Sequence, residues 1–211
     1  MRPSKGDSRA QSRAAALWSV CRMSICLSAV ACGMAIRPRT EYALGPPAAA
    51  RTVVVSKMGL PIIELRPVRL PVYLDTTDLI ARKGSEIVVS RTGRWSERLS
   101  VGVTRSLAAS LTALLPWLDV AATTPIGQPV REILVDIDAF ETGADRQVVL
   151  TARWTLTNKD GHDVLQTERV SIIEPAANTG DRAVVAAMSR AVEDLASHIS
   201  VAIATSLPTG S

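Results

Sequence analysis

Beyond residue 32 the chain has no cysteine; Cys21, Cys26 and Cys32 are its three. The body therefore has neither a disulfide framework nor a thiolate metal site. Histidine is almost as scarce, with only His162 and His198, so a multi-histidine metal centre is excluded as well. No G-x-S-x-G, no H-E-x-x-H and no phosphate-binding glycine loop occurs anywhere in the sequence. There is no surplus charge outside the N-terminus either. The formal net charge is +4, but residues 1–31 carry Arg2, Lys5, Arg9, Arg13 and Arg22 against Asp7 alone, which leaves 19 basic and 19 acidic residues in the remainder. Once that segment is set aside, nothing argues for a phosphate-tracking surface, and no nucleic-acid partner is expected. No cofactor is implied.

The N-terminus itself is informative. A basic stretch, an apolar run and the small triplet Ala29-Val30-Ala31 lead directly to Cys32. That is the layout of a secretory leader, and Arg22 interrupts the apolar run too early for a permanent membrane span. The triplet suits ordinary signal cleavage. A cysteine immediately after it resembles the bacterial lipobox, in which the cysteine is acylated, for example with palmitate, and becomes the first residue of the mature chain. Leu27 lies two residues upstream of the place where the commonest lipobox has its leucine, a place taken here by Ala29. Three readings follow: lipid attachment at Cys32, plain secretion, or an uncleaved anchor. Several acyl chains, each methylene contributing about 0.8 kcal/mol, hold a protein to a bilayer almost permanently. Gly33 is not the aspartate that typically retains such proteins at the inner membrane, so the outer membrane, on its periplasmic face, is the expected location. The expected division is a leader over 1–31, a lipidated N-terminus and extended, proline-bearing tether over 32–58, one domain over 59–206 and a disordered tail over 207–211.

In the body, 61–68 and 85–91 alternate apolar and polar residues as strands do. From Ser96 the apolar positions Leu99, Val103, Leu107, Leu111, Leu114 and Leu118 recur at helical spacing. Ser96 is the expected cap, Glu97 suits the first turn and Pro116 limits the end. Segments 133–140, 148–156 and 164–173 read as three strands joined by turns, the second turn carrying Asp160-Gly161. A second helix follows Asp181, striped by Val184, Met188, Val192, Leu195 and Ile199. The expected fold class is α+β, a mostly antiparallel sheet with two main helices packed on one face.

No catalytic constellation stands out from this pattern. Asp136 and Asp138 sit at strand spacing and could serve a glycosidase, but alternating polar residues are also what a wet sheet face shows. His198 falls between apolar helical positions, as a rim or satisfied core residue does, and Trp95 and Trp154 fit a core. The chain is not expected to be an enzyme.

The stretch PVRLPVYLD (67–75), then Ile80 and Arg82, then GRWSERL (93–99) leading into a helix, together with Tyr42-Ala43-Leu44 upstream and VVLTARWTL (148–156) downstream, resembles the PqiC-like auxiliary lipoproteins of ABC-type transport systems. The likeness runs from about residue 27 to 204. Thr76 stands where an arginine is usual, Ser96 replaces alanine and Arg98 replaces proline. The resemblance implies an accessory role beside an MCE-domain protein and ABC or related permease components, moving lipid or another hydrophobic molecule across the envelope and contributing to its integrity, without catalysis. Homo-oligomers are compatible with it. A periplasmic hydrolase and a cell-wall-binding structural lipoprotein are the alternatives. Within the signature, Pro67 and Pro71 limit sheet pairing and leave Tyr73 in a stiff loop, so Leu70, Pro71, Tyr73 and Asp75 are the candidate partner-binding residues, with Tyr73 as lid of the core the competing reading.

Overall fold

A computed structural model describes residues 38–45, 59–125, 127–143, 145–159 and 161–207. The leader, Cys32, most of the tether and residues 208–211 lie outside these residues. In chain order the elements are β1 (Thr40–Tyr42), β2 (Ile62–Leu65), β3 (Asp78–Lys83), β4 (Glu86–Trp95), α1 (Leu99–Leu114), β5 (Asp119–Ala121), β6 (Arg131–Thr142), β7 (Gln147–Asn158), β8 (Val164–Pro175) and α2 (Asp181–Ser206). The eight strands form one sheet, and the described residues from Arg39 onward belong to one unit.

The meander β6–β7–β8 is the sheet's longest paired region. Strict alternation puts Val148, Leu150, Ala152, Trp154 and Leu156 of β7 in the core, while Thr151, Arg153 and Thr155 face the other way. In β6 the alternation changes phase. Ile133, Val135 and Ile137 are buried, then an irregularity between Ile137 and Ala139 adds Asp138 as an extra residue, and burial resumes at Phe140. Gly161, at φ +69°, permits the tight return into β8, a conformation side-chain-bearing residues rarely adopt.

The other edge of β6 is divided among several partners. Its N-terminal residues pair with β2, the segment after β2 continues alongside through Arg66 N–H to Ile133 O (2.9 Å) and Arg69 N–H to Val135 O (3.0 Å), and Thr142 at the far end pairs with Ala81 of β3. The sheet thus forks into two wings. One is β2–β5, and the other is the β3–β4 hairpin with β1 along its outer side. Of the seven strand pairings among the described residues, four are parallel and three antiparallel. The α+β class stands, but the sheet is mixed, correcting the expectation of a mostly antiparallel one. The parallel pairings are three residues long or shorter, and runs that brief leave no periodicity to read. β1 also corrects part of the tether assignment. Thr40–Tyr42 pair with Gly93–Trp95, and Leu44 enters the core.

Both helices contribute their apolar stripes to one core with the inner face of the sheet: Val103, Leu107 and Leu111 from α1, and Met188, Val192, Leu195 and Ile199 from α2. Neither Ser96 nor Glu97 acts at the start of α1 as expected. The helix begins at Leu99, where Leu99 N–H donates to Thr76 O at 3.1 Å, and its cap comes from a distant loop, Ser100 N–H donating to Asp75 Oδ1 at 3.0 Å. Glu97 lies before the helix and pairs with Arg105 instead. Asp181 in the first turn of α2 suits the positive end of that helix. No described helix is long and apolar enough to cross a membrane.

Candidate functional site

The loop from Arg66 to Thr77 fills the fork between the two wings. Prolines at 67 and 71 deny it two ladder donors, so it cannot simply extend β2 to β3. It turns instead. Pro71 O accepts from Leu74 N–H at 2.9 Å and from Asp75 N–H at 3.1 Å, and Leu74 is driven into the core. Before the turn, Val68 N–H donates to Thr104 Oγ1 of α1 at 3.0 Å. Arg69 donates twice to Asp136, through Nη2 at 2.9 Å in the second bond, and that hydrogen bond, with the carboxylate's charge, holds the guanidinium above its ordinary pKa.

The four expected partner-binding residues are brought together, but three of them, Leu70, Tyr73 and Asp75, are also committed inside the fold. Leu70 is half-buried against the core, and Pro71 closes the turn. The ring of Tyr73 packs on the core, while its hydroxyl accepts from Arg82 Nη2 at 2.8 Å and donates to Glu141 Oε2 at 3.3 Å. Arg82 pairs with Glu141 and stands 5.5 Å from the centroid of the Tyr73 ring. Hydrogen bonding to Glu141, then to Tyr73, raises the Arg82 pKa. Glu141 is only 8% exposed, so this ion pair and the tyrosine satisfy a carboxylate that would be costly to bury alone. Asp75 accepts from Ser100 N–H and, at 2.7 Å, from Arg98 Nη2. Burial pushes its carboxyl upward, but the bonds from Ser100 and Arg98 and the Arg98 charge outweigh that and keep it below the usual carboxylate range.

What the loop presents outward is Val72, 88% exposed at the tip of the turn. Sequence reasoning passed over it because a lone valine beside a tyrosine looks minor. The available signal was its position. It follows a proline in a loop whose flanking apolar residues, Leu70, Tyr73 and Leu74, all turn inward. Glu141 was missed because the stretch after Phe140 reads as a turn, whereas β6 runs to Thr142.

Elsewhere, Asp136 and Asp138 are taken by separate arginines, Arg69 and Arg169, rather than poised as a pair. His162 and His198 are both exposed, the latter on the outer side of α2 rather than at a core rim. Trp95 and Trp154 lie in the core. Among the described residues no group of three or more His, Cys, Asp or Glu side chains could hold a metal ion.

Residues 42–200 match the family model described as ABC-type transport auxiliary lipoprotein component. The fold also resembles solved structures at low identity. A crystal structure of an uncharacterised protein superposes with a TM-score of 0.66 at 17% identity, covering 79% of this chain and 99% of that one. A crystal structure of a protein from Xanthomonas campestris gives a TM-score of 0.56 at 15% identity, covering 77% and 90%. At these identities the likeness concerns the fold alone. No curated protein sequence matches the chain.

Proposed function

Because this chain belongs to the family of ABC-type transport auxiliary lipoprotein components, we propose that it is anchored through acylated Cys32 at the periplasmic face of the outer membrane and docks an MCE-domain protein of a lipid-transport system. The family is one of transport auxiliaries and not an enzyme class. The observation that carries the docking part is the fixed turn at Val72: an apolar side chain held outward by a turn that Pro71 O closes and that Tyr73 and Asp75 tie inward. An anchor presented on a rigid element loses little conformational entropy on binding, which is what an interface contact needs. Leu70, Pro71, Tyr73 and Asp75 serve the same surface, the first two as its flanks and the last two as its supports. The permease is then reached through the MCE partner, and the hydrophobic cargo passes along that assembly.

Acyl labelling tests the anchor. Cys32→Ala should carry no fatty-acid label and should remain uncleaved or be released from the membrane, and equal label on the variant would reject the attachment site. For the docking turn, a photo-crosslinking residue placed at Val72 in cells should trap an MCE-domain protein. Equal trapping from the outward Val201 of α2, 65% exposed, would reject the turn as the contact.

A further inference from the structure

At the fork on the far side of Tyr73 the sheet is held together by one residue pair, Ala81 with Thr142. There the β3–β4 hairpin leaves β6, and a cleft of about 450 Å³ opens between the hairpin and the start of α2. Its volume is within the range of pockets that bind small molecules, roughly 300–1,000 Å³. The walls are largely apolar, with Ala81, Val88 and Val184 half-exposed along them. The two ends differ. At one, Asp181 accepts hydrogen bonds from Ser90 Oγ at 2.9 Å and Thr92 Oγ1 at 2.7 Å, so its carboxylate is already served by β4. At the other lies Lys83, without an ion-pair partner among the described residues, beside Thr142. Thr142 is 6% exposed, yet its hydroxyl has no hydrogen-bond partner among the described residues. An unpaired buried hydroxyl is costly, and it lines the cleft.

We propose that this cleft binds a single-chain anionic amphiphile, its chain along Ala81, Val88 and Val184 and its anionic head between the Lys83 ammonium and the Thr142 hydroxyl. The head completes the hydrogen bonding that Thr142 lacks, and the chain covers the half-exposed walls. Leu79 beside Asp181 and Lys83 at the other end are four strand residues, about 13 Å, apart, so the anionic head is held away from the one carboxylate lining the cleft. The site deepens the transport reading by giving the auxiliary chain a ligand of its own, but it rests on the cleft's chemistry and is separable from docking at Val72.

The test is calorimetric titration of the full chain with dodecanoate below its micelle concentration, with dodecanol and inorganic phosphate as the other arms. Saturable binding of dodecanoate, weaker binding of dodecanol by about tenfold, as expected for loss of a charge-assisted hydrogen bond, and no competition by phosphate is the expected pattern. Thr142→Val should weaken dodecanoate while the free protein melts no lower than wild type, since the substitution removes an unsatisfied group. Val88→Trp should fill the cleft and abolish binding with the circular dichroism of the fold retained. Equal binding of dodecanol, displacement by phosphate alone, or dodecanoate binding unchanged in both variants would overturn the assignment. Dodecanoate binding retained by a protein that captures no MCE-domain partner would support the cleft and count against the transport reading alone.

Discussion

Asp75 shows how one side chain joins distant parts of the chain. It was legible in the sequence as part of a signature, but its task was not, because no local pattern says that a carboxylate will cap a helix starting at Leu99. Its folded-state pKa is depressed, so the stabilisation it provides is present above the unfolded value near 3.9 and is lost as pH falls through the folded value. Asp75→Ala should cost about 1 kcal/mol at neutral pH, the usual loss for a removed cap, with little added by the exposed Arg98 pair. Thermal melts across pH 7 to about pH 2 should show wild type converging on the variant below about pH 4; a constant gap would mean that Asp75 acts by packing and not by charge. Trp154 is the opposite case. The alternation of VVLTARWTL placed it in the core from sequence alone, and it is fully buried. Its indole nitrogen has no partner among the described residues, so Trp154→Phe should cost well under the 3 to 5 kcal/mol of truncation to alanine, measured by denaturant unfolding. Equal costs would mean that the part of the indole a phenyl ring lacks carries most of the stability.

Among the elements, those with a full period were readable and those without were not. The meander and both helices supply five or more alternating or striped positions each, whereas β1 and β5 are three residues long and cannot display a period. β1 exists because its partner strand offers a parallel edge at Gly93, where a close approach is needed. A Cβ there would stand 2.6 Å from Asp181 Oδ2 and 2.8 Å from both Leu79 Cδ1 and Tyr42 Cε2. Gly93→Ala should therefore push apart β1, β3 and the start of α2 together, a typical overpacking cost of about 1–3 kcal/mol. Hydrogen exchange should rise along Thr40–Tyr42 in the variant; unchanged protection there would mean that the strand is held by something other than this contact.

For the whole molecule, the class of fold was legible and the topology was not. The three long antiparallel strands and two covering helices follow from patterning, but the fork at β6 depends on two prolines and a set of parallel contacts far apart in sequence. The candidate surface was half-legible for the same reason. The signature located the loop, while only the fold shows that Tyr73 and Asp75 are tied inward and that Val72 points outward. The central proposal is that this turn docks an MCE-domain protein, and purified Val72→Asp, compared with Val201→Asp by affinity titration against that protein, tests it most directly. Both variants should melt within about 0.5 kcal/mol of wild type, as surface changes do. Val72→Asp should lose about thirtyfold or more in affinity, the scale of a 2 kcal/mol hot spot, with Val201→Asp unchanged. Val72→Asp binding the partner as tightly as wild type would contradict the claim.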